Sequence, residues 1–290
     1  MINVLCLMSF LFICLTSTYL QATCNNLPDD SIFVGLNQEQ WQLYHMSDNR
    51  LRLVETNTEP RYPAISSSGR FLAYIDQSGQ VIQLDLKNKK STILLNTNQN
   101  AYIQPEYSQD EKSLYLVELV NGISQNTNIV KYHLKDKKIT RFIDQPGSQF
   151  QPRLINDWLY YINVACVNDC GRIIEELWRR HVISRSAEQV THLNHMSRSP
   201  VIYDDKLTFL SNRTGLYQIF TQTTKPLATH YDQLLDDEAS YDFLNVNNDY
   251  LYAIRRQKNQ EALVCIHNNK VSLIELPASI QRMRNLDIAL

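Results

Sequence analysis

Three carboxylates, Glu106, Asp157 and Asp242, lie near short apolar segments that could bring them to a common centre. Taken in pairs, such groups could work on a glycan, one held protonated by apolar surroundings and the other ionised. Glu106 and Arg153 occupy equivalent positions in successive segments, so the plainer expectation for them is a structural ion pair. His192 and His195, in Thr191-His192-Leu193-Asn194-His195, offer two imidazoles to a transition metal, but no Cys or carboxylate lies at metal-site spacing. They read as solvated loop histidines. Asp236-Asp237-Glu238 could offer oxygens to Ca²⁺, yet the run lacks the alternating acidic spacing and the glycine of a calcium loop. Asp204-Asp205 is ordinary turn chemistry. Nucleophile-elbow, zinc-protease, phosphate-loop and dinucleotide motifs are all missing. No catalytic residue, metal or cofactor is assigned, and the expected class is a non-enzyme.

Cysteine usage depends on compartment. Val4 to Leu15 is an apolar run, followed by polar Thr16 to Thr18 and then by Gln21-Ala22. It is shorter than the ~20 residues of a spanning helix and suits the hydrophobic core of a signal peptide, with cleavage after a small residue. Residues 1–23 are therefore expected to direct export to a periplasmic or secreted location. A retained anchor, with the remainder facing the periplasm, is the alternative, and is the one route by which this chain would touch a membrane. Removal of residues 1–23 leaves Cys24, Cys166, Cys170 and Cys265. Cys166-Val167-Asn168-Asp169-Cys170 can close a small disulfide ring across a turn, and Cys24 with Cys265 then follows by elimination. A lipidated Cys24 is the competing use of that residue.

The 290 residues are 43% hydrophobic and 20% charged, with a net charge of −2. That is enough apolar material for a substantial core, and the absence of a basic stripe argues against nucleic acid as a partner. Glycine is scarce, at 7 residues, while asparagine numbers about two dozen and can take the left-handed dihedrals of turns in its place.

The organising feature is a repeat of about 44 residues. Pro63, Pro105, Pro152, Pro200 and Phe243 each open a short strand, followed by a polar turn and a second, aromatic-rich strand such as Phe71-Leu72-Ala73-Tyr74-Ile75 or Leu159-Tyr160-Tyr161-Ile162. A third and a fourth strand follow in each unit. Four antiparallel strands per repeat make a β-propeller blade. The N-terminal segments Ser31–Leu36, Gln42–His45 and Leu51–Val54 form a blade without its innermost strand, which Met283–Leu290 can supply, with Asn285 continuing the spacing. The expectation is an all-β, six-bladed propeller over residues 24–290, closed by the C-terminal strand entering the N-terminal blade.

Pro63-Ala64-Ile65-Ser66-Ser67-Ser68-Gly69, Pro105-Glu106-Tyr107-Ser108-Gln109-Asp110 and Ser211-Asn212-Arg213-Thr214-Gly215-Leu216-Tyr217-Gln218-Ile219-Phe220 resemble the repeat motif of the TolB-like six-bladed propeller family. The likeness covers residues 31–290. The chain departs from TolB itself in having no room for that protein's N-terminal α/β domain, and the Pro-Asp-Gly turn of the motif is complete nowhere. The resemblance implies the same propeller fold. Its members include binding scaffolds, sensor domains and non-catalytic caps of peptidases.

In a propeller the connections entering the innermost strands gather around one mouth of the channel. Here that funnel rim would carry Arg61, Tyr62, Tyr102, Phe150, Gln151, Arg198, Tyr241 and Arg284. Arg and Tyr are the types enriched at interface hot spots, and this mixture suits a protein or peptide segment better than an apolar ligand. The competing expectation for Tyr62, Phe150 and Tyr241 is that they pack between blades. The expected function is that of an exported, monomeric binding scaffold in the cell envelope. A glycan-active hydrolase or lyase, or a tethered sensory ectodomain, is the alternative.

Overall fold

In a computed structural model, described for residues 24, 26–97, 100–123, 125–167, 171–225, 228 and 230–289, the chain forms six four-stranded antiparallel sheets. Blade one holds β1 (Ser31–Asn37), β2 (Gln40–Ser47) and β3 (Arg50–Val54). Blade two runs from β4 (Arg61–Ile65) through β5 (Phe71–Ile75) and β6 (Val81–Asp85) to β7 (Lys90–Leu95). Blade three is β8 (Ala101–Tyr107), β9 (Ser113–Leu119), β10 (Thr127–His133) and β11 (Ile139–Ile143). Blade four is β12 (Ser148–Ile155), β13 (Trp158–Val167), β14 (Arg172–His181) and β15 (Ala187–Gln189). Blade five is β16 (Ser197–Tyr203), β17 (Lys206–Ser211), β18 (Gln218–Thr223) and β19 (Asp232–Gln233). Blade six is β20 (Ser240–Asn247), β21 (Tyr250–Gln257), β22 (Gln260–His267) and β23 (Lys270–Leu273). The last strand, β24 (Arg282–Ile288), pairs with β1 and is the innermost strand of blade one.

Apolar residues have no common centre in this ring. They form a separate wedge between each pair of neighbouring blades. The period-2 alternation of a strand sends successive side chains to opposite faces, and in the second strand of each blade both faces are buried. Leu72 and Tyr74 of β5 pack toward blade one, while Ala73 and Ile75 pack toward blade three. In β13, Leu159 and Tyr161 face blade three whereas Tyr160 and Ile162 face blade five. This two-sided burial explains why these segments read as unbroken apolar runs.

Turns are built largely without glycine. The two-residue loops Gln38-Glu39, Asp48-Asn49, Asp204-Asp205, Lys258-Asn259 and Asn268-Asn269 have positive φ at both positions, the pattern of type I′ hairpins, which Asn and Asp tolerate best among residues with a Cβ. Asp204-Asp205 is thereby accounted for as a turn.

Closure has three components. β24 is hydrogen-bonded along β1, from Ser31 opposite Ile288 to Leu36 opposite Arg282. Leu27, at 2% exposure, packs with Phe33 and Met46 of blade one and Tyr252, Ile254 and Leu263 of blade six. Cys24 forms a disulfide with Cys265 of β22, their Cα atoms 5.9 Å apart. The expected signal segment and the Cys166–Cys170 ring lie outside the described residues: 1–23 and 168–170 are not described, nor is the side chain of Cys166.

Two outcomes follow. Deleting residues 283–290 strips blade one of its inner strand, and limited proteolysis should then degrade the chain rapidly; unchanged protease resistance would refute the closure. Replacing Cys24 by Ser should cost roughly 2–5 kcal/mol, the range for removing a native disulfide, read as a lower denaturation midpoint under non-reducing conditions.

Candidate functional site

All six innermost strands carry a register shift at the same place, and the residue at the shift has positive φ: Tyr62 (49°), Gln104 (51°), Gln151 (49°), Ser199 (52°), Phe243 (53°) and Asn285 (55°). A bulge of this kind bends the strand and re-aims its side chains. The six residues ring a cavity of about 230 Å³ in the channel. In blades six and one the register differs by one residue from the sequence alignment. Leu244 and Leu286, rather than Phe243 and Asn285, stand where the other blades have proline, because the bulged residue is the recurring structural element and proline merely follows it in four blades.

Two residues beyond each bulge the channel is lined by Ala64, Glu106, Arg153, Val201, Asn245 and Asp287. Arg153 reaches across the ring. Its Nη1 donates to Asp287 Oδ1, its Nη2 donates to Asn245 Oδ1 at 2.8 Å, and Nη1 lies 3.7 Å from Glu106 Oε2. Backbone groups of neighbouring blades complete this tier. Ile65 N donates to Asp287 Oδ2 at 3.0 Å, Leu154 N to Glu106 Oε1 at 2.8 Å, and Asn245 Nδ2 to the Leu286 carbonyl at 2.9 Å. Burial pushes the Glu106 carboxyl up to about 7, with Asp287 adding to the shift and Arg153 opposing it. Burial disfavours the Arg153 charge, but Asp287 and Glu106 outweigh it and hold the guanidinium above its ordinary value. The expected pairing of Glu106 with Arg153 is present, though the tighter partner is Asp287. The cluster separates the first cavity from a second of about 390 Å³ at the opposite mouth.

The expected rim residues divide by position. Tyr62 and Gln151 line the channel. Arg61, Arg198 and Arg284 precede bulges and make ion pairs. Glu59 Oε1 accepts from Arg284 Nη2 at 2.7 Å and Arg61 Nε at 3.4 Å, and hydrogen bonding from Arg284 holds its carboxyl below the usual value. Arg198 lies 3.8 Å from Asp242, and Arg256 is 2.5 Å from the same carboxylate. Two of these guanidinium groups also cover aromatic rings, Arg198 over Tyr217 at 3.5 Å and Arg284 over Trp41 at 4.0 Å. Tyr102 (8% exposed) and Tyr241 (1%) are buried in the wedges between blades, and Phe150 packs against the wedges on both sides of blade four.

Of the three carboxylates picked out by position, Glu106 alone lies in the channel. Asp242 is engaged at the rim, and Asp157 is exposed in the turn between β12 and β13, toward the other face. Asp237 accepts from the Tyr241 hydroxyl at 2.7 Å and from Arg255 at 3.0 Å, which makes it a structural hub. His192 is exposed, its Nδ1 2.9 Å from Gln189 Nε2. Among the described residues no group of three His, Cys, Asp or Glu could hold a metal ion. Asp287 and Asn245 were not picked out from sequence. They lie two residues beyond the bulges at Phe243 and Asn285, which no proline marks in the sequence.

The architecture defines the class: a six-bladed β-propeller structurally related to TolB-like propellers. No family model matches the chain, and no curated protein matches it. Among solved structures it is similar to TolB from Acinetobacter baumannii, with a TM-score of 0.69 and 16% identity over 91% of this chain and 68% of that one. It is also similar to hydrazine synthase from Kuenenia stuttgartiensis, with a TM-score of 0.71 and 9% identity over 90% of this chain and 46% of that one. Oligogalacturonate lyase in complex with manganese gives a TM-score of 0.61 and 12% identity over 84% of this chain and 73% of that one. At these identities the shared property is the fold.

Replacing Arg153 by Met leaves Glu106 and Asp287 buried without their counter-charge and should cost about 3–5 kcal/mol at pH 8. The cost should be smaller at pH 5, where Glu106 takes up a proton; equal losses in denaturant titrations at the two pH values would count against this role. Because the folded-state value of Glu106 lies above its ordinary 4.5, its contribution to stability falls as pH rises from about 4.5 to about 7. Glu106→Gln should remove that decline from the stability–pH curve.

Proposed function

We propose that the chain is an exported, non-catalytic propeller that binds a protein or peptide segment at the funnel mouth. The supporting observation is the way the rim arginines are held. Arg284 donates to Glu59 and covers the Trp41 ring, and Arg198 covers the Tyr217 ring with Asp242 3.8 Å away, so their apolar surfaces and charges are positioned before any partner arrives. Preordering of this kind lowers the entropic cost of docking a flexible segment. In the channel, Asp287 accepts from Arg153 and from the Ile65 amide, and Glu106 accepts from the Leu154 amide with Arg153 3.7 Å from its other oxygen, an arrangement suited to structure more than to proton transfer. Among the described residues no helix is long and apolar enough to cross a membrane. The apolar N-terminal run of the sequence supports export.

The test is a pull-down from a native envelope extract with the tagged protein, compared with an Arg61→Ala/Arg198→Ala double variant of unchanged melting temperature. A partner retained by the parent and weakened in the variant, by a few kcal/mol at most on hot-spot magnitudes, is the expected result. Equal retention by both proteins would reject this face.

A second reading, a glycan-active hydrolase or lyase, draws on Glu106 and on the structural neighbours. Glu106 titrates near neutrality and borders both cavities, and two of the three neighbours named above are enzymes. Turnover of an acidic oligosaccharide that is abolished by Glu106→Gln, with a bell-shaped pH–rate profile, would establish it over the scaffold.

A further inference from the structure

The cavity beyond the Arg153 cluster differs in chemistry from the funnel mouth. Its walls are largely aliphatic, with Ile65, Leu154, Ile155, Val201, Ile202 and Val246 from four of the six innermost strands, and its polar lining is Ser108 and the exposed turn residues Ser67, Gln109 and Asn156, with the Tyr107 ring beside them. Its floor is Glu106, Arg153 and Asp287, and no other Asp, Glu, Lys, Arg or His lines it. Two carboxylates against one guanidinium leave one negative charge in excess when both acids are ionised. The two acids are not equally satisfied. Asp287 has Arg153 on Oδ1 and Ile65 N on Oδ2. Glu106 has Leu154 N on Oε1, while among the described residues the nearest cation to Oε2 is Arg153 Nη1 at 3.7 Å, beyond hydrogen-bond range.

An acceptor short of a donor, at the end of an aliphatic sleeve and in a field of negative sign, is the complement of an alkyl chain that ends in a cation. We propose that this second cavity binds a primary aliphatic ammonium, with its methylenes against Ile155, Val201 and Ile202 and its –NH₃⁺ donating to Glu106 Oε2. A carboxylate ligand would add to the excess negative charge. A neutral chain would bury itself beside an unsatisfied carboxylate, which costs free energy. The volume of about 390 Å³ falls within the range of small-molecule sites. Ammonium binding requires the ionised form of Glu106, so affinity falls as pH drops below the carboxyl's raised value. The charged groups that set that value are Arg153 and Asp287, together with the amide of Leu154. The site is independent of the funnel rim, which lies at the other mouth.

Calorimetric titration of the intact protein with n-hexylammonium, N-hexylacetamide and hexanoate tests the assignment. N-acetyl-lysine methylamide provides a further arm that separates a lysyl side chain from a free amine. Hexylammonium or the lysyl probe should bind at least about tenfold more tightly than the neutral and anionic probes at pH 8, a difference of about 1.4 kcal/mol, and more weakly at pH 5.5. Glu106→Gln should weaken ammonium binding about tenfold or more. Ile202→Trp, which keeps the carboxylate but fills the sleeve, should do the same and decides the matter if the Glu106 variant does not fold. Equal binding of hexanoate or N-hexylacetamide, an affinity insensitive to Ile202→Trp, or no binding of any probe overturns the proposal.

Discussion

One guanidinium group joins the middle of the ring. Arg153 starts on blade four and ends on the carboxylate of β24 in blade one and the amide of β20 in blade six, with Glu106 of blade three alongside. Four of the six innermost strands thus meet through a single side chain. In a toroid whose apolar contacts are all between neighbours, this is the contact that spans the hole. A buried charge cluster of this kind contributes little net stability compared with an apolar replacement and a large penalty when broken. Its formation requires strands from blades one, four and six to stand in their correct places together, because both acceptors must lie within reach of that arginine.

The wedges between blades carry the hydrophobic stabilisation, and they constrain the sequence more than a one-sided sheet would. A second strand such as β9 must supply Leu114 and Leu116 to one neighbour and Tyr115 and Val117 to the other. A polar residue is therefore costly at every position of such a strand. At the mouth, the same economy of space puts Tyr102 and Tyr241 into wedges and leaves the rim to arginines paired with Glu59 and Asp242, Arg284 and Arg256 by hydrogen bonds and Arg198 at 3.8 Å. The mouth is consequently a lattice of alternating charge rather than a basic patch.

The repeat, the six blades and the insertion of the last strand into the first blade were legible because burial on both faces writes continuous apolar runs, and because proline marks the bulge in four blades. Asn and Asp in place of glycine announced the hairpins, and the structure shows positive φ at Asp48-Asn49 and Asn268-Asn269. The channel was less legible. Glu106 and Arg153 sit beside their prolines and were visible as a pair. Asp287 and Asn245 follow Leu286 and Leu244, where no proline flags the bulge and the alignment slipped by one residue. A contact across the hole also joins positions with no fixed sequence separation, so no local pattern encodes it. Whether Tyr102 and Tyr241 face solvent or a neighbouring blade depends on strand twist at the blade edge, which composition does not carry.

The placement of β24 bears on the order of events when the protein is made. Blade one has three strands near the start of the chain and a fourth near its end, and the disulfide that reinforces the seam bridges 241 residues. Blades two to six are each built from strands consecutive in sequence, but the inner edge of β1 is paired only by β24. Contacts of this sequence separation are slow to form and leave strand edges open to aggregation in the meantime. Ring closure thus depends on pairing two strands from opposite ends of the sequence, which no local hairpin can supply.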